Sequence, residues 1–149
     1  ASAIPWGVLL LFDGGITLAK GFVASGLSAQ VGELLANLAL VPTLFAIVMV
    51  AILVTALTEA TSNTATTALL MPILAAASMA AQIDPLILMV PAAMSASCAF
   101  MLPVATAPNA VVFGTGQIGI QTMVRWGIWV NVLGAVVISG VVFGVTTAR

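Results

Sequence analysis

Histidine is absent from this sequence, cysteine occurs once, and only seven of its 149 residues are charged. Each shortage closes off a class of function. Without histidine, and without a cysteine pair, zinc and haem have no plausible ligand set. Cys98 stands alone, so a disulfide within the chain is impossible. The net charge is −1, and no basic cluster exists to hold nucleic acid or an anionic lipid surface. An intramembrane hydrolase would need a catalytic histidine, an aspartate pair or a Ser–Lys dyad, and none lies near the polar stretches described below. A soluble domain wets its surface with about a quarter charged residues. This chain falls far short of that.

What is present is apolar sequence. Hydrophobic residues make up 62% of the chain, and residues 34–58, 60–83, 85–124 and 126–148 carry no charge at all. Runs of that length suit a lipid solvent, because a helix needs ~20 apolar residues to cross a hydrocarbon core of ~30 Å. Backbone groups in lipid must bond to one another, which leaves helices or a closed barrel. Barrel strands alternate polar and apolar residues over ~10 positions, and no stretch here does so. The fold class is therefore an all-α integral membrane helical bundle. The sequence opens at Ala1 without an initiator methionine and is expected to be a segment of a longer protein.

Pro5 and Trp6 begin a first transmembrane helix, taken as residues 1–21 and closed by Lys20. Gly14 and Gly15 within it either weaken the helix or let a neighbouring helix approach closely. Residues 28–39 form an amphipathic helix, with Val31, Leu34, Leu35 and Leu38 on one face and Gln30, Glu33 and Asn37 on the other. It lies either in the membrane interface or in an extramembrane loop.

Residues 43–81 are expected to form a re-entrant helical hairpin with its tip at 58–64, where Thr58-Glu59-Ala60-Thr61-Ser62-Asn63-Thr64 interrupts two apolar arms. Each arm is near 16 residues, roughly 24 Å, which is short for a full crossing. Two short spans joined by a loop is the competing arrangement. Asp84 and Pro85 then open a helix, the one as cap and the other in the first turn. Residues 85–117 read as one transmembrane helix broken at 103–109, where Pro103 and Pro108 each remove a backbone donor. A last transmembrane helix covers 123–147. The crossings number three, or five if the hairpin is two spans, so the termini lie on opposite faces.

Broken backbone within a membrane is costly unless it lines a cavity or is buried in protein. Both breaks share a design. One helix ends with unpaired carbonyl oxygens and partial negative charge, small polar residues follow, and a new helix begins with free N–H groups and partial positive charge. The oxygens suit a hard cation; the helix starts suit an anion. Discontinuous helices pairing these functions are the usual build of a secondary transporter site. No Lys or Arg lies near either break, so the charge balancing an anion would come from dipoles and a co-bound cation. The plainer role of Ser62 or Asn63 is to cap the helix that follows. Glu59 either biases the local field toward cations or bonds the backbone of the tip, and carbonyl ligation of a cation favours the second. No role is evident for Asp13.

Residues 58–65, followed by Leu69-Leu70-Met71-Pro72, resemble the second Ser-Asn-Thr signature of the divalent anion/sodium symporters, the group that includes di- and tricarboxylate carriers. Residues 98–110, Cys98 through Ala110, are similar to that family's second broken-helix segment. The resemblance covers almost the whole chain. It implies a non-enzymatic, sodium-coupled carrier of divalent anions, C4-dicarboxylates foremost, in the cell inner membrane. It further implies two inverted repeats, of which this is the C-terminal one, a missing N-terminal repeat, a homodimer and an elevator-type alternating-access mechanism. Carried over by position, sodium would meet Thr58, Thr61, Asn63 and Ala105. The substrate carboxylate would meet Ser62, Asn63, Thr64, Thr106 and Ala107. The family usually reads Thr-Pro-Pro-Asn at 106–109, and Ala107 departs from it, which bears on loop rigidity and substrate preference. A channel or structural membrane subunit without coupled transport is the alternative.

Overall fold

A computed structural model of the chain describes residues 6–27, 29, 30, 33 and 42–148. Among these residues the fold is all-helical: α1 (Trp6–Ala24), α2 (Thr43–Ala60), α3 (Asn63–Ala80), α4 (Pro85–Ser95), α5 (Ala107–Gly114) and α6 (Ile120–Thr147). The amphipathic helix expected over 28–39 lies outside the described residues except for Ala29, Gln30 and Glu33. Helices α2, α3 and α6 are long and apolar enough to cross a membrane.

The helix ends follow local chemistry. Helix α1 continues past Lys20 and stops where Gly26 takes a φ of +77°, a left-handed conformation that favours glycine. Helix α3 closes with Gln82 at a φ of +56° and Ile83 N–H donating to Ser78 O at 2.9 Å, a six-to-one closure of the Schellman kind. Asp84 caps α4 by accepting from Leu86 N at 3.0 Å, with Pro85 in the first turn where no donor is lost.

Helix α6 has 28 residues, about 42 Å at 1.5 Å per residue. It buries one stripe, Met123, Gly127, Asn131, Ala135, Ile138 and Val142, at the three- and four-residue spacing of a single helix face. Helix α2 runs antiparallel along the C-terminal part of that stripe. Its Ile47 packs on Ile138 and Val142, and its Glu59 reaches Asn131. Helix α4 is wedged between α2 and α3, so the two arms touch each other little; Ala92 and Ala96 pack with Val54 between them, against Val50, Leu70, Met71 and Leu74. Buried alanines allow this close approach. The other face of α6, with Trp126, Trp129, Leu133 and Val136, is exposed and apolar. A surface of that kind is suited to lipid or to another part of a larger protein, not to water.

Candidate functional site

The turn between α2 and α3 is shorter than the polar stretch. Thr61 and Ser62 alone are non-helical, while Thr58 and Glu59 end α2 and Asn63 and Thr64 begin α3. The other break is longer than expected and begins earlier. Helix α4 stops at Ser95, not near Leu102, and helix resumes only at Ala107.

Glu59 accounts for that early stop. In a continuing helix the N–H groups of Phe100, Met101 and Leu102 would bond to carbonyls four residues back. They turn instead to the Glu59 carboxylate. Phe100 N donates to Oε1 at 2.8 Å, Met101 N to both oxygens at 2.9 and 3.1 Å, and Leu102 N to Oε2 at 3.0 Å. A further bond comes from Asn131 Nδ2 to Oε1, at 2.6 Å. Before the stop, the last turn tightens, with Ser97 N donating to Met94 O and Cys98 N to Ser95 O. Glu59 is 5% exposed. A carboxylate has about four lone-pair sites, and these donors take them up. Bonds to a charged group contribute ~1.5–3 kcal/mol each, enough together to offset the several kcal/mol lost on burying one ion. Glu59 does bond backbone, but of the second break and not of its own tip.

Thr58 makes the second tie. Its fully buried hydroxyl lies 2.8 Å from Ala96 O, at the end of α4, and 2.8 Å from Asn63 Oδ1. One hydroxyl proton fills only one of these acceptors, so an oxygen lone pair stays unclaimed at this point. Thr61 donates to Leu57 O at 2.9 Å and meets Thr66 Oγ1 at 2.6 Å. Ser62 caps α3, with Ala65 N at 3.4 Å from its hydroxyl, and Thr106 caps α5 with Asn109 N at 3.3 Å. Both helix starts are thus capped by residues expected to face a carboxylate.

Of the residues expected to meet sodium, Thr58 and Asn63 come together directly, and Thr61 sits one turn away, bonded to Thr66. Ala105 is buried, its N–H donating to Leu102 O at 3.2 Å, at the far end of the stretch Glu59 holds. Ser62, Thr64 and Ala107 are exposed. Among the described residues no group of His, Cys, Asp or Glu could hold a metal ion. The oxygens gathered here belong to hydroxyls, an amide and carbonyls, a hard and mostly neutral set suited to an alkali cation. Asp13 is exposed on α1.

Two residues carry more of the site than the sequence reading gave them. Asn109 donates from Nδ2 to Ala99 O at 2.8 Å and Leu102 O at 3.0 Å, binding the start of α5 to the break. Asn131 orients Glu59 from α6, and its own Oδ1 is buried without a partner. The signal for Asn131 was a lone amide in a charge-free apolar span, since polar residues there are functional candidates.

Comparison with known proteins finds related sequences over nearly the whole chain. The family model for the sodium:sulfate symporter transmembrane region matches residues 1–146. The sodium-dependent dicarboxylate transporter SdcS of Staphylococcus saprophyticus is 54% identical over 143 residues, 96% of this chain and 28% of its own length. SdcS of Staphylococcus aureus strain USA300 is 50% identical over the same extent. The chain thus spans 28% of the length of these relatives. A match over nearly every residue, on a bundle with two interrupted helices and three apolar helices of membrane-crossing length, leads to one conclusion: this chain is a multi-pass membrane segment and belongs to the sodium:sulfate symporter transmembrane region family.

Proposed function

We propose that this chain supplies half of the binding site of a sodium-coupled carrier for dicarboxylates, C4 acids foremost. The observation that carries the reading is the double tie, through Thr58 and Glu59, of one helix interruption to the other. In this reading sodium binds among Thr58, Thr61, Asn63 and Ala105, and a substrate carboxylate meets Ser62, Asn63, Thr64, Thr106 and Ala107. The relatives named as sodium-dependent dicarboxylate transporters support the choice of ion and substrate class.

The level of the site along α6 supports a position deep in the bilayer. Asn131 is the twelfth residue of α6, roughly 17 Å from its start in a helix of about 42 Å. Glu59 at the end of α2 is bonded to it. In this reading the hairpin enters from the side where α6 ends and turns near mid-height as a re-entrant hairpin, with arms of 18 residues each.

Electrostatics then explains the coupling. No Lys or Arg lies within 58–64 or 103–109. A carboxylate at the starts of α3 and α5 would meet partial positive charge from the helix ends. A sodium ion ~4 Å away would add up to ~4 kcal/mol of attraction at an effective dielectric constant of ~20. Neither ion alone binds well, and both can leave. A first inverted repeat, a homodimer, elevator-type motion and placement in the cell inner membrane complete the proposal. The test is uptake of labelled succinate into vesicles carrying the full-length protein. Saturable, sodium-dependent uptake is expected; a non-saturable, sodium-independent flux would favour a channel and overturn it.

A further inference from the structure

The sodium and carboxylate sites just proposed make no use of Glu59, yet its buried carboxylate accepts five hydrogen bonds. The donors are three consecutive backbone amides of one loop and a side-chain amide from α6. Successive N–H groups turned toward one point form an anion-binding concavity. Here the anion is tethered: it comes from the end of α2, more than forty residues away in sequence. The loop is held from the other side as well, because Phe100 and Met101 lie directly on Gly127 of α6. The cradle is therefore built by the loop and α6, and the hairpin tip plugs into it.

We propose that Glu59 is a positioning residue for sodium binding, its carboxylate fixing the second break against the hairpin tip, and that the cradle accepts a free small carboxylate when that side chain is removed. The inference rests on the transport reading above. Its geometry is specific. Truncation of Glu59 to alanine deletes a methylene and a carboxylate, the heavy atoms of acetate. A cavity of about 350 Å³ between α2 and α6 adjoins Glu59 and Asn131 and is otherwise mostly apolar, with Ile52, Ile128 and Val132 in its wall, so acetate would reach the cradle as the neutral acid. All four donor groups point at the vacated position, and none has another bond that the truncation would restore. With its lone pairs engaged, Glu59 does not ligate sodium itself. Its effect on the ion passes through the placement of Ala105, three residues beyond Leu102.

The experiment uses the full-length protein reconstituted in liposomes. Glu59→Ala is expected to raise the sodium concentration for half-maximal succinate uptake by about tenfold, within the range of ordinary site-to-site coupling. Tens of millimolar acetate should restore at least part of the loss, leaving wild type and Asn63→Ala unchanged. Glu59→Gln should not be rescued, because its amide fills the cradle while turning an NH2 toward N–H donors. A wild-type sodium response in Glu59→Ala, or a folded Glu59→Ala carrier that acetate fails to restore, would overturn the proposal. Should Glu59→Ala not fold, Asn131→Ala removes one donor only; about a threefold rise in half-maximal sodium with unchanged maximal uptake is expected, on the scale of one hydrogen bond, and a fall in maximal uptake alone contradicts it. If wild type shows no sodium-dependent uptake, the transport reading fails. The cradle is then judged by melting temperature, which acetate should raise in purified Glu59→Ala and not in wild type.

Discussion

Gly127 lies directly beneath the backbone of Phe100. A Cβ at Gly127 would fall 2.7 Å from the carbonyl carbon of Phe100 and 2.8 Å from Met101 Cα, and closer still to the Phe100 oxygen. These are backbone atoms held on their other side by Glu59, so they cannot step aside without leaving the carboxylate.

Gly127→Ala therefore separates the loop from Glu59 or from α6. The expected loss is ~1–3 kcal/mol, the usual cost of overpacking, with sodium-dependent uptake reduced by tenfold or more. Gly140, on the same helix with nothing within 4 Å of an added Cβ, is the control. Gly140→Ala should leave uptake unchanged and stabilise α6 by up to ~1 kcal/mol. Thermal unfolding and vesicle uptake of the two variants measure both effects.

Asn63→Ala should abolish sodium-dependent uptake while leaving membrane insertion intact. The hairpin keeps its tie in this variant, because Thr58 still donates to Ala96 O and Glu59 still holds the loop. The stability cost should stay near ~1 kcal/mol, the worth of one hydrogen bond. Normal uptake would remove Asn63 from the site.

Thr58→Val keeps the shape of a buried side chain and removes its hydroxyl. Ala96 O and Asn63 Oδ1 both lose their contact. A destabilisation of ~1–3 kcal/mol is expected from the orphaned carbonyl, together with a higher half-maximal sodium concentration. Thr58→Ser should recover most of the sodium response. An equal response in the valine and serine variants would show that the hydroxyl plays no part.

Ala107→Pro should be tolerated. Ala107 is the first residue of α5, where a missing N–H is harmless. Thr106 before it is already extended, at φ −142° and ψ 155°, as a residue preceding proline prefers. A gain of ~0.4–1 kcal/mol from a stiffer unfolded chain is the expected outcome, read as a melting temperature at or above that of the parent.

The all-helical class was legible because it depends on composition: charge-free runs leave a chain in lipid few alternatives. The cap at Asp84 and the interruption before α5 were legible for a related reason, since Asp-Pro and paired prolines act within a few residues of themselves. The end of α4 at Ser95 was not. Nothing between Ser95 and Leu102 is a strong helix breaker, and the cause is a carboxylate on another helix, 41 residues from Phe100. Glu59 stood out as an acid in an apolar span, but its partners lie across the fold and carry no side-chain mark. Asn131 was equally hidden, its meaning set by the residue that faces it. Thr58 and Asn63 were singled out by the resemblance at 58–65, and the structure brings their side chains together across one turn, five residues apart.

In the proposed mechanism a sodium ion and a carboxylate share the site where the two interruptions meet. Equilibrium binding of labelled succinate to the purified full-length protein across a sodium titration tests it most directly. Sodium should lower the dissociation constant of succinate, and succinate should lower that of sodium by the same factor, as reciprocal linkage requires. Succinate affinity that is identical with and without sodium would contradict the claim.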